Sequence, residues 1–255
     1  MEIKSINIIG AGNVAFYLVH KLSPQICVRT VYSRDVSHAL ILAQKASAQA
    51  VDRISELSLE VDLNIICVKD DAIKAIVEQL PKSITTLHTS GAIDISMLSK
   101  FEKSGIIYPL QSISKERIAS LGAVPFLIEA SSASFEKELL EFVQEYFSTN
   151  SIMADSRTRL RIHLAAVFAN NFTNYLLIQS KDILDKAGVD FKILEPLMIE
   201  TIHKAFTGTP LNSQTGPAIR HDHETVKSHL ALIEDEKVKA LYAMITELIQ
   251  REFNV

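Results

Sequence analysis

The sequence predicts an α/β unit built on a mostly parallel sheet, followed by an all-helical unit. Three observations predict it. Short β-rich apolar runs alternate with helix-like segments from Ile3 to about Met153, as buried parallel strands with covering helices do. The first of these runs enters a turn of small residues, Gly10-Ala11-Gly12-Asn13-Val14-Ala15. After Asp155 the β-rich runs stop, and apolar residues recur at three- and four-residue spacing.

In chain order, β-branched and aromatic residues predict strands over 3–9, 27–33, 63–68, 85–88, 105–108, 124–129 and 150–153, with a further short one over 48–51. Helical links are predicted over 13–22, 37–46, 72–80 and 134–147. Asp71 is placed to cap the third, because its carboxylate can accept from an early backbone N–H. The stretch 156–186 holds no Gly or Pro and repeats apolar residues through Leu160, Leu164, Val167, Phe168, Phe172, Tyr175, Leu176 and Ile183. It reads as one long helix, stopped by Gly188, the residue type suited to a left-handed cap. A helix over 191–206 contains Pro196, which either kinks it or marks a late start, and Gly208 and Pro210 end it. A turn-rich stretch, 207–217, leads to two final helices over 223–232 and 235–253. The expected organisation is one domain over 1–153 and a helical substrate and dimerisation domain over 154–255.

With 255 residues, 47% of them apolar, the chain has material for one large core or two modest ones. A net charge of −4 gives no general drive toward nucleic acid or an anionic membrane. No apolar run reaches the roughly 18 residues that a membrane-spanning helix needs. Met1-Glu2-Ile3-Lys4 leads directly into the first strand and leaves no room for a signal peptide, so a cytoplasmic location is expected. Cys27 and Cys67 sit in apolar runs and read as buried, reduced thiols. No metal site is expected: His221-Asp222-His223-Glu224 are adjacent residues, which do not face one centre.

The small-residue turn is a G-x-G-x-x-A pattern that follows a strand and opens a helix, the mark of a dinucleotide-binding Rossmann domain. Gly10 allows the tight turn, Gly12 lets backbone approach a pyrophosphate, and Ala15 lets helix and strand pack closely. The N–H groups of the helix start, at Asn13 and Val14, would meet the phosphates. Enzymes using NAD(H) place an acid at the end of the second strand to hold the ribose hydroxyls. Here Tyr32-Ser33-Arg34-Asp35 offers a hydroxyl and a guanidinium, which favours the 2′-phosphate of NADP(H) over NAD(H). Asp35 is the counter-indication.

Ligands of such sheets lie beyond the carboxyl ends of the strands. Val68 ends one strand there, and His88-Thr89-Ser90-Gly91 ends the next, so Val68, His88, Ser90 and Gly91 join the candidate cofactor residues. His88 also reads as a core histidine satisfied by a backbone carbonyl. Tyr108-Pro109-Leu110-Gln111 could shape the same wall. On the long helix His163 and Asn170, seven residues apart, share one face, with Asn171 beside it. Thr215-Gly216-Pro217-Ala218-Ile219-Arg220-His221-Asp222 could present Arg220 and Asp222 to an interdomain cleft, or Asp222 could simply cap the next helix. The candidate catalytic group is therefore His163, Asn170, Asn171, Arg220 and Asp222. In it His163 is the acid–base residue, the asparagines orient the substrate, and Arg220 holds a carboxylate.

On these segments the whole chain resembles the bacterial Rossmann-like proteins that carry a C-terminal helical domain of unknown function and are grouped as NADP oxidoreductases. Gly10 to Ala15, Ser33-Arg34, His88 to Ala92, His163 to Asn171 and Thr215 to Asp222 carry the resemblance. His221 departs from it, standing where such proteins usually have Gly. The layout is more distantly similar to pyrroline-5-carboxylate reductases, deazaflavin-dependent NADP reductases and β-hydroxyacid dehydrogenases. The last carry a catalytic lysine on the first long helix, which His163, Asn170 and Asn171 replace here. The resemblance implies an NADP(H)-dependent oxidoreductase acting on a small carbonyl, imine or hydroxy compound, and a homodimer formed through the helical domain. Two alternatives stand beside it: a non-catalytic NADP(H)-binding regulatory protein, and a deazaflavin-dependent NADP reductase.

Overall fold

The computed structural model describes residues 3–254. Among them the strands are β1 (Ser5–Ile9), β2 (Cys27–Tyr32), β3 (Gln49–Val51), β4 (Leu63–Ile66), β5 (Thr86–His88), β6 (Ser104–Pro109), β7 (Phe126–Ala130) and β8 (Ile152–Met153). They form one sheet in the order β3-β2-β1-β4-β5-β6-β7-β8. Strands β1 to β6 pair in parallel, and β7 pairs antiparallel with β6. From β1 the chain builds outward through β2 and β3, then returns to the other side of β1 with β4. The carboxyl ends of β1 and β4 thus form the switch point at which such sheets bind ligands. This is a Rossmann-type sheet.

The helices of this part are α1 (Asn13–Leu22), α2 (Val36–Ala46), α3 (Asp70–Gln79) and α4 (Ala133–Tyr146). They cover both faces, as the strand pleat demands. Ile8 and Ile9 are neighbours on β1 yet join different cores: Ile8 packs in the cluster of Leu18, Leu42 and Phe135, and Ile9 in that of Ile66, Ile73 and Leu98. Two sequence expectations are corrected. Cys27 is exposed, because it is the first residue of β2 and its side chain falls on the outward pleat, while Cys67 is buried; both thiols are free. Asp71 is not a cap, because α3 starts earlier, with Lys69 at the N-cap and both Asp70 and Asp71 inside the first turn. There the two carboxylates still favour the positive end of the helix.

Beyond β8 the chain is helical. The expected long helix is present over 156–186, with a π-helical segment, Val167–Phe172, between α5 (Ser156–Ala166) and α6 (Thr173–Lys186). Gly188 takes φ +69° after it, the left-handed conformation that the sequence anticipated. Pro196 lies in the first turn of α7 (Glu195–Thr207), so it marks a late start, where its missing N–H costs nothing. The last two helices are α8 (His223–Leu232) and α9 (Glu236–Phe253), capped by Asp222 and Asp235.

The chain divides after Asn171 into two compact units. The second unit has little interior of its own: among its described residues only Ala218 is buried. No helix among the described residues is long and apolar enough to cross a membrane.

Candidate functional site

The site begins at the loop after β1. Gly10 has φ +127°, and a Cβ there would lie 2.3 Å from the Cys67 carbonyl oxygen, so no other residue fits. Gly12 is different: a Cβ on it meets no atom of the chain within 4 Å, so internal packing does not require glycine at that position. Helix α1 starts from Gly12 with neither a side-chain cap nor an acidic residue in its first turn. Asp35, Ser132, Asp155, Asp222 and Asp235, in contrast, cap α2, α4, α5, α8 and α9. The early N–H groups of α1, around Asn13 and Val14, therefore remain available to an anion. Val68, two residues beyond the end of β4, stands 3.3 Å from where a Gly10 Cβ would be and walls the loop.

At the end of β2, Arg34 is exposed and Ser33 half-buried. Asp35 is committed elsewhere. Its carboxylate accepts from the Ser37 N–H at 2.9 Å and from the Ser37 hydroxyl at 2.6 Å, bonds that hold it below the usual carboxylate range. The residue that could have served as a ribose-binding acid is a helix cap.

At the end of β5, His88 is fully buried. Its Nδ1 accepts the Ser90 N–H at 3.2 Å, so it braces the following turn through an N–H and not through the carbonyl expected of a core histidine. Burial, and then the nearby Arg159 guanidinium, push its pKa down to about 3, which leaves the ring neutral. Ser90 is also turned inward, its hydroxyl accepting from the N–H groups of Ala92 and Ile93 at 3.1 and 3.0 Å. Both side chains shape the turn.

What the turn presents is Gly91. A Cβ on Gly91 would lie 2.9 Å from His163 Nδ1 and 2.9 Å from Tyr108 Cζ. Only bare backbone lets these two rings close over it. The Tyr108 hydroxyl is 3.0 Å from His163 Nδ1, and the rings meet edge to face. Burial, then the Asp70 carboxylate, raise the pKa of Tyr108 and keep it a phenol. Strand β6 supplies Tyr108 and helix α5 supplies His163.

Helix α5 is anchored one turn before His163. Asp155 caps it, accepting the Thr158 N–H at 2.7 Å. Arg159, fully buried, pairs with Glu129 on β7 and donates to the Ile93 carbonyl at 2.6 Å and to the Ser156 hydroxyl at 3.1 Å. Ser156 in turn donates to Glu129 at 2.7 Å and accepts the Ile95 N–H at 3.0 Å. This network ties α5 to the sheet edge and to the stretch just after Gly91. Sequence reading missed Arg159 and Glu129, and assigned Tyr108 only to a wall. One signal was available: Arg159 lies four residues before His163, on the same stripe of the helix.

The other candidates are the two asparagines of the long helix, Arg220 and Asp222. Asn170 and Asn171 are exposed and lie in the π segment. A π turn closes i→i+5, so the seven-residue step from His163 is not two plain α-turns, and the simple shared face is shifted. Arg220 is exposed in the second unit. Asp222 caps α8, accepting from the Thr225 N–H at 3.1 Å and the Thr225 hydroxyl at 2.7 Å. Between them, His221 sits at φ +53°, the left-handed conformation that favours glycine.

Residues 5–97 match a family described as NADP oxidoreductase, coenzyme F420-dependent, and residues 124–249 match a domain of unknown function (DUF2520). A Bacteroides fragilis protein described as a "putative NADP oxidoreductase" is 33% identical over 98% of each chain, with a TM-score of 0.88. The chain belongs to the same family as this protein. A Thermotoga maritima protein, 21% identical over 98% of this chain and 100% of its own, has a TM-score of 0.78 and shares the fold. So does a reductive aminase from Aspergillus terreus, in complex with NADPH and ethyl-5-oxohexanoate, at 14% identity, 98% and 95% coverage and a TM-score of 0.76. Comparison with curated proteins gives no match. The family relationship accounts for the two-part organisation of sheet and helices; the chemistry has to be argued from the residues.

Proposed function

We propose that the chain is an NADP(H)-dependent oxidoreductase that reduces a C=N or C=O bond of a small molecule, or runs the reverse reaction on the corresponding amine or hydroxy compound. One observation carries this reading: at the sheet edge expected to hold a nicotinamide, Tyr108 and His163 close over the bare backbone of Gly91. The cofactor fit rests on Gly10 and Gly12, on the uncapped start of α1, and on an exposed Arg34 beside an Asp35 already used as a cap. Gly10, Gly12, Asn13 and Val14 would hold the pyrophosphate, Ser33 and Arg34 the 2′-phosphate, and the backbone at Val68 and Gly91 the nicotinamide side. Bound there, NADPH supplies the hydride. His163 supplies or takes the proton at the substrate nitrogen or oxygen, since an imidazole nitrogen can both donate and accept one. His88 and Ser90 act on the cofactor only by shaping the turn that carries Gly91. Asn170 and Asn171 would orient substrate from the π segment, a distortion frequent at functional sites. Arg220 would meet a substrate carboxylate, with Asp222 holding its loop. The reductive aminase that shares the fold, crystallised with NADPH and a keto ester, supports imines and ketones as the first substrates to try.

The test is NADPH oxidation by the full chain against cyclic imines, aldehydes, and ketones mixed with amines. Saturable turnover that falls at least about a hundredfold in His163→Ala, with NADPH affinity retained, is expected. Absence of turnover across the whole panel would favour a binding or regulatory protein instead. The match of residues 5–97 to a coenzyme F420-dependent description favours a second reading, a deazaflavin-dependent NADP reductase, which the same assay tests with a deazaflavin as acceptor.

The protein would work as a homodimer through its helical half. The support is the missing interior of the second unit: Ile193, Leu197, Ile199, Phe206, Leu232 and Met244 are all at least 60% exposed. A helical unit with so little buried apolar surface needs a partner to be stable, and a second copy of the same face is the economical one. Light scattering is expected to give twice the chain mass at micromolar concentration; a strict monomer would overturn this part.

A further inference from the structure

His163 and Tyr108 come from elements 55 residues apart, and the contact between them is specific in its atoms: the phenol meets Nδ1 at 3.0 Å. Among the described residues Nε2 of His163 has no hydrogen-bond partner in the chain. With Nδ1 taken, Nε2 is the nitrogen left to meet another molecule. The phenol oxygen suits both charge states of the ring, because it can accept from Nδ1–H whether or not Nε2 carries a proton. Burial and the Asp70 carboxylate keep Tyr108 protonated, so it does not become a phenolate in competition with His163 for the proton. Gly91 gives the two rings their seat, and the Arg159–Glu129 pair fixes the helix turn that brings the imidazole to it.

We infer that Tyr108 is the positioning residue for His163: its hydroxyl holds Nδ1 over Gly91 and so makes Nε2 the nitrogen that exchanges a proton with the substrate. This rests on the proposed acid–base role of His163. In the reducing direction the acceptor carbon gains the hydride, whose two electrons come from the reduced nicotinamide. The π pair of C=N or C=O moves to the heteroatom, which takes the proton from Nε2. His163 passes from imidazolium to neutral imidazole, keeping its other proton on Nδ1, bonded to the Tyr108 oxygen. Solvent restores the Nε2 proton.

The variant is Tyr108→Phe, which removes one oxygen and keeps the ring against Gly91. The first readout needs no substrate: 15N and 1H spectra of the full chain labelled at histidine, with His163 assigned by its loss in His163→Asn. The native ring is expected to show a protected, hydrogen-bonded Nδ1 proton that disappears in Tyr108→Phe. The second readout is turnover of a cyclic imine, where kcat should fall about 10–100-fold, as for removal of a partner that orients a working group. The KM for NADPH should stay within about twofold, which a general loosening of the fold would not spare. If Tyr108→Phe fails to fold, Gly91→Ala, whose Cβ would press on both rings, is expected to erase the same Nδ1 signal. An unchanged Nδ1 environment and unchanged kcat in Tyr108→Phe, beside an inactive His163→Ala, would overturn the inference and leave the proposed function standing. An active His163→Ala would overturn the acid–base role itself, and the catalytic part of the inference with it.

Discussion

Removing the Glu129 carboxylate leaves the Arg159 guanidinium buried without its counter-ion. Arg159 is fully buried and Glu129 nearly so, and their pair is joined by Ser156 and by the Ile93 carbonyl. Loss of one partner from a buried pair costs about 3–5 kcal/mol, most of it for the stranded charge. Asp94 and Asp155 also feel Arg159, weakly, which moves the expectation to the lower end, about 3 kcal/mol. For a chain of this size that corresponds to roughly 6–12 °C in Tm. The perturbation is Glu129→Leu, and the assay is urea unfolding followed by circular dichroism and by tryptophan-free near-UV signals of the tyrosines. The paired change Glu129→Leu with Arg159→Met removes both charges and should recover most of the loss, since a buried pair replaced by apolar groups is often neutral. A single variant within about 1 kcal/mol of wild type, or a double variant as unstable as the single, would show that the buried charge pair does not hold this edge.

Gly10→Ala should destabilise the protein by roughly 2 kcal/mol or more and abolish NADPH-induced stabilisation, because its Cβ would lie 2.3 Å from a carbonyl oxygen at φ +127°; calorimetry with and without NADPH checks both. His88 gives a pH signature. Its folded pKa of about 3 lies below the unfolded value near 6.5, so below pH 6.5 the unfolded chain takes up a proton that the folded chain refuses. Stability is therefore complete above that pH and falls as pH drops toward 3, by about 2 kcal/mol at pH 5 from this residue alone. Urea unfolding at pH 7 and pH 5 should show this difference in wild type and its loss in His88→Asn. His221→Gly should stabilise the second unit by about 1 kcal/mol, since φ +53° is costly for a residue with a Cβ. A destabilised variant would mean that the imidazole makes a contact worth more than the backbone strain.

Much of the sheet was legible because buried parallel strands are written as short apolar runs; Leu63 to Ile66 and Phe126 to Ile128 could hardly be anything else. The Gly10 loop was legible for a related reason: its conformation excludes every other residue. What escaped was tertiary. Arg159 and Glu129 carry residue types that ordinarily face water, and nothing local says that they will meet across 30 residues of chain. The Tyr108–His163 contact is equally non-local. The π segment over Val167–Phe172 has no compositional mark, so the spacing from His163 to Asn170 was read as plain α-helix. Asp71 is not a cap because β4 ends at Ile66, two residues before the apolar run does, and α3 starts already at Asp70. Cys27 was misjudged because an apolar run does not say which way its first residue points.

In the proposed function the loop after β1 and the Ser33-Arg34 turn hold a 2′-phosphorylated dinucleotide. Thermal unfolding of the full chain, titrated separately with NADPH, NADP⁺, NADH and NAD⁺, tests it most directly. A ligand that binds only the folded state stabilises by about 2.7 kcal/mol at a hundredfold excess over its Kd. Larger shifts are expected with the phosphorylated pair than with the other, and loss of that preference in Arg34→Ala. Equal shifts with both pairs, or no shift with any of the four, would contradict it.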